Sequence, residues 1–140
     1  MAQPRILQSA PNHLRVTAPF GSVAMEPGDL ASYESDTIVL MDAATEDATF
    51  AGYLINQNNT AQREPADAVL GLQGQLQVDC TSAAYVLGQG LKLASANTVV
   101  DHGGTPADTI AWSAEKTGTV TSLDILIDVI AVNKLFESIA

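Results

Sequence analysis

The chain has 140 residues, a length that suits one domain, and 46% of them are apolar, enough for a single hydrophobic core. Charged residues amount to only 16%, which favours a surface that lies against other protein over the surface of a freely solvated enzyme. The net charge of −10, from 16 acidic and 6 basic residues, argues against binding to nucleic acid or to an anionic membrane.

The first 22 residues indicate an extended arm. Prolines at positions 4, 11 and 19 bias their neighbours to extended geometry, and the segment has neither a helical nor an alternating pattern. Large apolar residues lie along it, more than a disordered tail usually carries: Ile6, Leu7, Leu14, Val16 and Phe20. We therefore expect residues 1–22 to dock on another protein, and residues 23–140 to form a single β domain.

The predicted arm is also mildly cationic. Arg5, His13 and Arg15 lie in it, and no acidic residue precedes Glu26. Attached to an acidic body, such a segment is suited to electrostatic steering towards a partner. Because the N-terminal residues lack the apolar run of a secretion signal and no stretch approaches the ~18 apolar residues of a membrane span, we expect synthesis in the cytoplasm.

From residue 23 onward the pattern predicts short strands separated by turns. Pro27-Gly28-Asp29 is a turn, since proline presets one dihedral angle and glycine allows a positive φ. The predicted strands are 30–33, 37–41, 50–55, 69–80, 85–87, 91–93, 97–100, 109–114 and 120–132. The run 120–132 also fits a helix, but its β-branched residues favour a strand, and the tail 133–140 fits one helical turn. Many short strands with frequent turns predict an all-β fold, a small β-barrel or sandwich.

The most regular alternation lies between Val69 and Cys80. Apolar residues there alternate with Gln73, Gln75, Gln77 and Asp79. A period of two predicts a strand with one buried and one wet face. A row of neutral amides on the wet face is suited to hydrogen bonds with a neighbouring chain, although a solvated face is the default interpretation.

Two segments of the chain resemble each other. Residues 27–53 contain a turn glycine, a short strand, a hairpin and an aromatic strand with Tyr53, and residues 88–112 repeat this order as far as Trp112. We interpret them as two related β-units folded on one another around a shared core, with the glutamine-bearing strand between them. Both aromatic residues are expected to pack.

The sequence offers no convincing catalytic or cofactor motif. His102-Gly103-Gly104 has no Gly-x-Ser-x-Gly partner, and Gly88-Gln89-Gly90 lacks the third glycine and the helix of a dinucleotide loop. Cys80 is interpreted as a buried packing residue, since a catalytic thiol needs a nearby base. The acidic loop 42–49 lacks the framework of a calcium site. We therefore expect no enzyme activity, no metal and no cofactor.

Five segments carry a resemblance to a known family: Pro27-Gly28-Asp29-Leu30, the strand from Thr37 to Asp42, Phe50-Ala51-Gly52-Tyr53-Leu54, Leu87-Gly88-Gln89-Gly90-Leu91 and Ile110-Ala111-Trp112. In this order they resemble the small β-rich decoration proteins of tailed phages. The resemblance covers roughly residues 23–132. It implies a β-barrel or β-tulip-like body, a homotrimer at local threefold positions of the capsid, and an extended N-terminal arm that crosses onto neighbouring major capsid protein subunits.

Under this interpretation the arm supplies the capsid contacts. The candidate residues are Arg5, Ile6, Leu7, Leu14, Arg15, Val16 and Phe20. The expected location is the outer capsid surface of the virion, and the resemblance implies neither catalysis nor a cofactor. The alternatives are another phage structural component, such as a tail or head-fibre base protein, and a small carbohydrate-binding β module.

Overall fold

The computed structural model describes residues 3–21, 24–42, 49–56 and 67–128. Within these ranges the secondary structure consists of strands and short 3₁₀ turns, so the all-β prediction is confirmed. The strands are β1 (Arg5–Gln8), β2 (Arg15–Pro19), β3 (Leu30–Glu34), β4 (Thr37–Leu40), β5 (Phe50–Leu54), β6 (Asp67–Gly71), β7 (Gly74–Ala83), β8 (Gly90–Ser95), β9 (Thr98–Asp101), β10 (Ala111–Ser113) and β11 (Val120–Ile127). No helix in the described ranges has the length and apolar character needed to cross a membrane.

The second half of the chain forms a closed β-barrel. Its strands follow one another in the order β7-β11-β10-β8-β9, and a parallel pairing of β9 with β7 closes the ring. β9 covers only residues 79–80 on its edge of β7, and β1 pairs antiparallel with residues 75–77 of β7. Closure leaves no exposed edge in the ring itself.

The first half forms a five-stranded sheet in the order β2-β6-β5-β3-β4. Its outer strands also meet, because Phe20 makes an isolated parallel bridge to Ile38 and Gly21 N–H donates to the Ile38 carbonyl at 2.8 Å. In the first half, β2 pairs antiparallel with β6 and meets β4 in parallel through the Phe20–Ile38 bridge. In the second half, β7 pairs antiparallel with β11 and parallel with β9. The two halves therefore share one topology.

The strand registers show that this repeat extends to individual residue pairs. Arg15 to Pro19 of β2 pair with Gly71 to Asp67 of β6, and Gln75 to Asp79 of β7 pair with Leu126 to Ser122 of β11. Phe20, directly after β2, bridges Ile38 as Cys80 of β7 pairs with Val99, so equivalent residues of these two segments differ by 60 in number. We call residues 15–71 the first unit and residues 74–127 the second unit.

The turn before the second strand of each unit is also repeated. Gly28 and Gly88 have positive φ values of 95° and 82°. Gly28 N–H donates to the Leu54 carbonyl at 2.8 Å, and Gly88 N–H donates to the Ser113 carbonyl at 2.9 Å. The prediction of two related β-units is thereby confirmed. The prediction that the glutamine strand lies between them is wrong, since β7 is the first strand of the second unit.

The described residues of the predicted arm, 3–21, are paired to the body along both of their strands. β1 lies against β7, and β2 pairs with β6 over all five of its residues. Arg5–Gln8 and Arg15–Pro19 are extended as expected, but Pro4 and Ala10 are buried and the segment does not stand apart from the sheets.

The predicted strand 69–80 is in fact two strands. β6 ends at Gly71 and β7 begins at Gly74, so the chain passes from one unit to the other at this point. A Cβ on either glycine would collide with the ring or hydroxyl of Tyr53, which fills the space that they leave. The predicted strand 85–87 is not formed, since these residues lead into the turn at Gly88. Residues 129–132 of the last predicted strand and the tail 133–140 lie outside the described ranges.

One hydrophobic core extends through both units. It contains Phe50, Tyr53 and Leu70 of the first unit and Leu76 and Leu91 of the second. Tyr53 ties the first unit to the segments on either side of it, because its hydroxyl accepts a hydrogen bond from Ala10 N–H and donates one to the Gln73 carbonyl, each at 2.8 Å. The packing role expected for Tyr53 is confirmed.

Candidate binding surface

The outside of the barrel carries a cross-strand row of amide and apolar side chains. Gln8 pairs with Gln75, Gln75 with Leu126, and Leu126 with Trp112. Paired residues on neighbouring strands project from the same side of a sheet, so these four side chains form one row. Their neighbours along the strands point inward and are buried, as Leu76 and Ile125 illustrate.

A second row runs beside the first. Arg5 pairs with Gln77, and Gln77 pairs with Asp124. We define the outer barrel face by the residues of the two rows together with Leu7: Arg5, Leu7, Gln8, Gln75, Gln77, Trp112, Asp124 and Leu126. The face combines apolar and amide groups with one base and one acid, which suits contact with protein better than free solvation.

A β-bulge brings Leu7 to this face. Ile6 pairs with Leu76 and Gln8 pairs with Gln75, so Leu7 is an additional residue in β1. A bulge bends its strand and redirects a side chain. Leu7 and Leu126 are each 40% exposed and lie two strands apart, at about 10 Å by ordinary strand spacing.

Gly90 and His102 border the outer barrel face at its Trp112 end. Trp112 pairs with Gly90, and a Cβ on Gly90 would collide with the imidazole of His102. The missing side chain therefore lets His102 lie over the barrel beside Trp112. Trp112 packs against the core yet remains partly exposed, so the expected packing role describes only one of its sides.

Two carboxyl groups lie close together at the margin of the face. Burial raises the pKa of Glu115, and the hydrogen bond and the charge of Asp124 raise it further. The shift favours the protonated form of Glu115, because burial and the nearby carboxylate both oppose its negative charge.

A second apolar feature lies at the turn of the second unit. Val86 and Leu87 are 57% and 71% exposed, the two most exposed large apolar side chains among the described residues. The turn is nevertheless well formed, because Val86 N–H donates to Oε1 of Gln89 at 3.0 Å. Two adjacent exposed apolar residues on a fixed turn are typical of a contact site.

The predicted capsid-contacting residues divide into two groups. Arg5 and Leu7 are exposed and belong to the outer barrel face. The other five are partly buried: Ile6, Leu14, Arg15, Val16 and Phe20. Three of these, Ile6, Val16 and Phe20, pack against the core.

Arg15 has a structural role in the first unit. Its Nε donates to the Ala10 carbonyl at 2.7 Å, and Nη2 lies 3.3 Å from Oγ of Ser9. These bonds hold the connection between β1 and β2. The predicted steering function of Arg15 is untested, but its guanidinium is already bonded to its own chain.

The groups considered for other chemistry stay apart. Cys80 is buried in β7 as predicted, and its Sγ lies 3.6 Å from the Val120 carbonyl. Nδ1 of His102 accepts a hydrogen bond from Gly104 N–H at 3.0 Å. No cluster of metal-ligating side chains occurs in the part of the chain that the structure describes, and residues 43–48 of the acidic loop lie outside it.

Sequence reasoning missed Leu126, Trp112, Val86 and Leu87 as surface residues. Leu126 faces outward on a strand whose other apolar residues face inward, so only the register of β11 reveals it. Val86-Leu87 had a visible signal, since two large apolar residues directly before a turn glycine are unusual. In comparisons with known proteins, no family model matches this chain and no curated protein has significant similarity to it.

Proposed function

We propose that this protein is a non-enzymatic structural component of a tailed-phage virion, which decorates the outer surface of the capsid. It stabilises the shell by bridging neighbouring subunits of the major capsid protein, and it acts as a homotrimer. The observation that carries the proposal is the outer barrel face, where Leu7 and Leu126 are exposed among amide groups on a rigid closed barrel.

The mechanism follows from the physics of association. Burying apolar area stabilises a contact by about 25 cal/mol per Å² before entropic costs are subtracted. Each copy needs only a modest contact, because a symmetric oligomer binds several subunits at once with a high effective concentration. Amide groups such as Gln75 and Gln77 add hydrogen bonds to the rim of the contact without the desolvation cost of charges.

The geometry also suits this role mechanically. β1 is held by β7, and the turn 26–29 is held by the N-terminal residues, since Nε2 of Gln3 donates to Oδ1 of Asp29 at 2.8 Å. Arg5 and Leu7, two of the residues expected at the capsid, are therefore presented on a fixed strand. A rigid contact loses less conformational entropy on binding than a flexible one.

Binding to purified capsids tests the proposal. Expanded capsids that lack a decoration protein are mixed with the protein, and the bound fraction is measured by sedimentation. Leu126→Asp and Leu7→Asp are expected to weaken binding at least tenfold, and Ala107→Asp, at an exposed position outside the outer barrel face, should leave it unchanged. Failure of the wild-type protein to bind capsids would overturn the proposal.

One observation favours a second candidate, a carbohydrate-binding module. Trp112 is partly exposed beside Leu126 and in line with Gln75, and an aromatic ring flanked by an amide is a common sugar platform. A glycan array with the wild-type protein and Trp112→Ala separates the two candidates. Specific glycan binding that Trp112→Ala abolishes, without capsid binding, would favour the second.

A further inference from the structure

The two units of the chain contact each other in a head-to-tail manner. The turn 26–29 of the first unit meets the hairpin between β8 and β9 of the second unit, where Nδ2 of Asn97 donates to Oδ1 of Asp29 at 2.9 Å. Oδ1 of Asn97 in turn accepts from Leu30 N–H at 2.9 Å. Asp29 and Asn97 are only 4% and 6% exposed, so this pair lies inside the contact between the units.

Each unit has both a turn and a hairpin of this kind. The turn of the second unit (residues 86–90) and the hairpin of the first unit (residues 34–37) are not covered by any other described part of the chain. Gln89 of the second unit corresponds to Asp29, and Asp36 of the first unit corresponds to Asn97. The strand registers around the two hairpins and the hydrogen bonds of the two turns establish these correspondences. The backbone agrees, since Asp36 and Asn97 have positive φ values of 63° and 55°.

The two recurring elements do not contact each other within the chain. Asp36 is exposed, and an added Cβ on Gly88 would find no atom within 4 Å. If a twofold axis related the units, the contact at Asp29 and Asn97 would occur twice, whereas it occurs once. The units are therefore arranged in series, with an open turn at one end and an open hairpin at the other.

The chemistry of the open ends is complementary. Inside the chain the turn supplies the carboxylate of Asp29 and the hairpin supplies the amide of Asn97. At the open ends the roles are exchanged, since the turn supplies the amide of Gln89 and the hairpin supplies the carboxylate of Asp36. Oε1 of Gln89 accepts from Val86 N–H, as Oδ2 of Asp29 accepts from Glu26 N–H. Nε2 of Gln89 is therefore the counterpart of Oδ1 of Asp29, the atom that bonds the other unit.

The surroundings of the open ends support the same contact. Val86 and Leu87 add exposed apolar area beside Gln89, which contact with another chain would cover. The hairpin carries Glu34 as well as Asp36, whereas the open turn leads into β8 with Lys92. Opposite charges on the two surfaces favour this pairing over contact between two hairpins.

We propose that copies of this chain assemble head to tail, with the β3–β4 hairpin (residues 34–37) of one copy seated on the turn 86–90 of the next, where Asp36 accepts a hydrogen bond from Nε2 of Gln89. A head-to-tail contact generates a closed ring when the rotation between copies closes. The homotrimer proposed above is such a ring, with six units in series. The inference rests on the assembly part of the proposed function but not on capsid binding.

Cysteine cross-linking tests the contact directly. Asp36→Cys and Gln89→Cys chains, one of them tagged to change its mass, are mixed under mild oxidation. We expect a disulfide-linked dimer of the two variants in the mixture and none in either variant alone, because buried Cys80 is protected. Ala107→Cys mixed with Asp36→Cys is the control for random collision. A disulfide-linked dimer in the Asp36→Cys sample alone, or no linkage in the mixture, would overturn the proposal.

Exchange of the paired groups tests the hydrogen bond. Gln89→Asp places two carboxylates opposite each other and should weaken self-association at least tenfold, as measured by light scattering over a concentration series. Adding Asp36→Asn recreates the Asp29–Asn97 arrangement and should restore association. Circular dichroism confirms folding of each variant. A wild-type protein that stays monomeric at every concentration, or a double variant as weak as Gln89→Asp, contradicts the proposal whatever the capsid assay shows.

Discussion

Asn97 and Asp29, 68 residues apart in the chain, form a buried side-chain hydrogen bond of 2.9 Å between the two units. Asn97 also bonds to the backbone of the first unit, because its Oδ1 accepts a hydrogen bond from Leu30 N–H. One side chain thus satisfies a donor of the first unit and binds a carboxylate of the same unit. These two bonds therefore help to fix how the two units are placed against each other.

Replacing Asn97 by glycine should lower the free energy of unfolding by about 1.5–3 kcal/mol, because a bond to a charged group is lost and Leu30 N–H stays buried without its acceptor. Glycine tolerates the positive φ, so the substitution reports on the amide and not on backbone strain. Asp36→Gly is the matched control at the equivalent exposed position and, at protein concentrations too low for self-association, should change stability by less than about 1 kcal/mol. Urea unfolding of both variants makes the comparison, and equal losses would contradict this account.

Tyr53 makes the second connection between distant parts of the chain. Tyr53→Phe removes the acceptor of the buried Ala10 N–H and the donor to the Gln73 carbonyl. We expect it to cost about 1–3 kcal/mol in urea unfolding, with little change in the far-ultraviolet circular dichroism of the folded state. Tyr33→Phe is the control, because the hydroxyl of Tyr33 has only a 3.4 Å contact with Asp36. A cost no larger than that of the control would show that these two bonds contribute little.

The sequence alone predicts the local features of this fold well. The alternation of Leu76 and Val78 with Gln75 and Gln77 correctly identifies the two faces of β7. Turn glycines such as Gly28 were identified for the same reason, because the demand for a positive φ is local. Patterns of this kind depend on residues that are neighbours along the chain.

Pairing between distant segments was harder to predict. The prolines of the first 22 residues indicated an arm, yet Pro19 is the last residue of β2, a position that a sheet tolerates. Nothing in the composition of β1 or β2 specifies β7 or β6 as its partner, since many apolar strands would satisfy the same edges. The outer barrel face was missed for this reason, because it exists only once the register of Gln75 with Leu126 is known.

Cys80 should behave as an inert thiol in the folded protein. Burial is the main cause that raises its pKa, so the reactive thiolate is scarce near neutral pH. We expect a thiol reagent to modify wild-type protein only as fast as the protein opens, and to modify Ser82→Cys, exposed in the same strand, at once. Rapid modification of the wild-type protein in the absence of denaturant would show that β7 opens readily at this position.

Tyr85 makes stability depend on alkaline pH. Its hydroxyl donates to the Thr81 carbonyl at 2.7 Å, and burial, followed by the neighbouring Cys80 and Asp101, raises the pKa of Tyr85 from 10.0 to about 12. Between these two values the folded protein binds more protons at this site than the unfolded chain does. The contribution of Tyr85 to stability is therefore fully present below pH 10 and is lost as the pH rises towards 12.

Urea unfolding at a series of pH values measures this loss, and tyrosinate absorbance follows the titration of the hydroxyl itself. Tyr85→Phe should cost about 0.5–1.5 kcal/mol at neutral pH, where one hydrogen bond is lost. Above pH 10 its stability should fall less steeply than that of the wild-type protein, so that the two curves converge near pH 12. Parallel curves over this range would place the alkaline loss of stability at another group, since Tyr85→Phe has nothing left to titrate at this position.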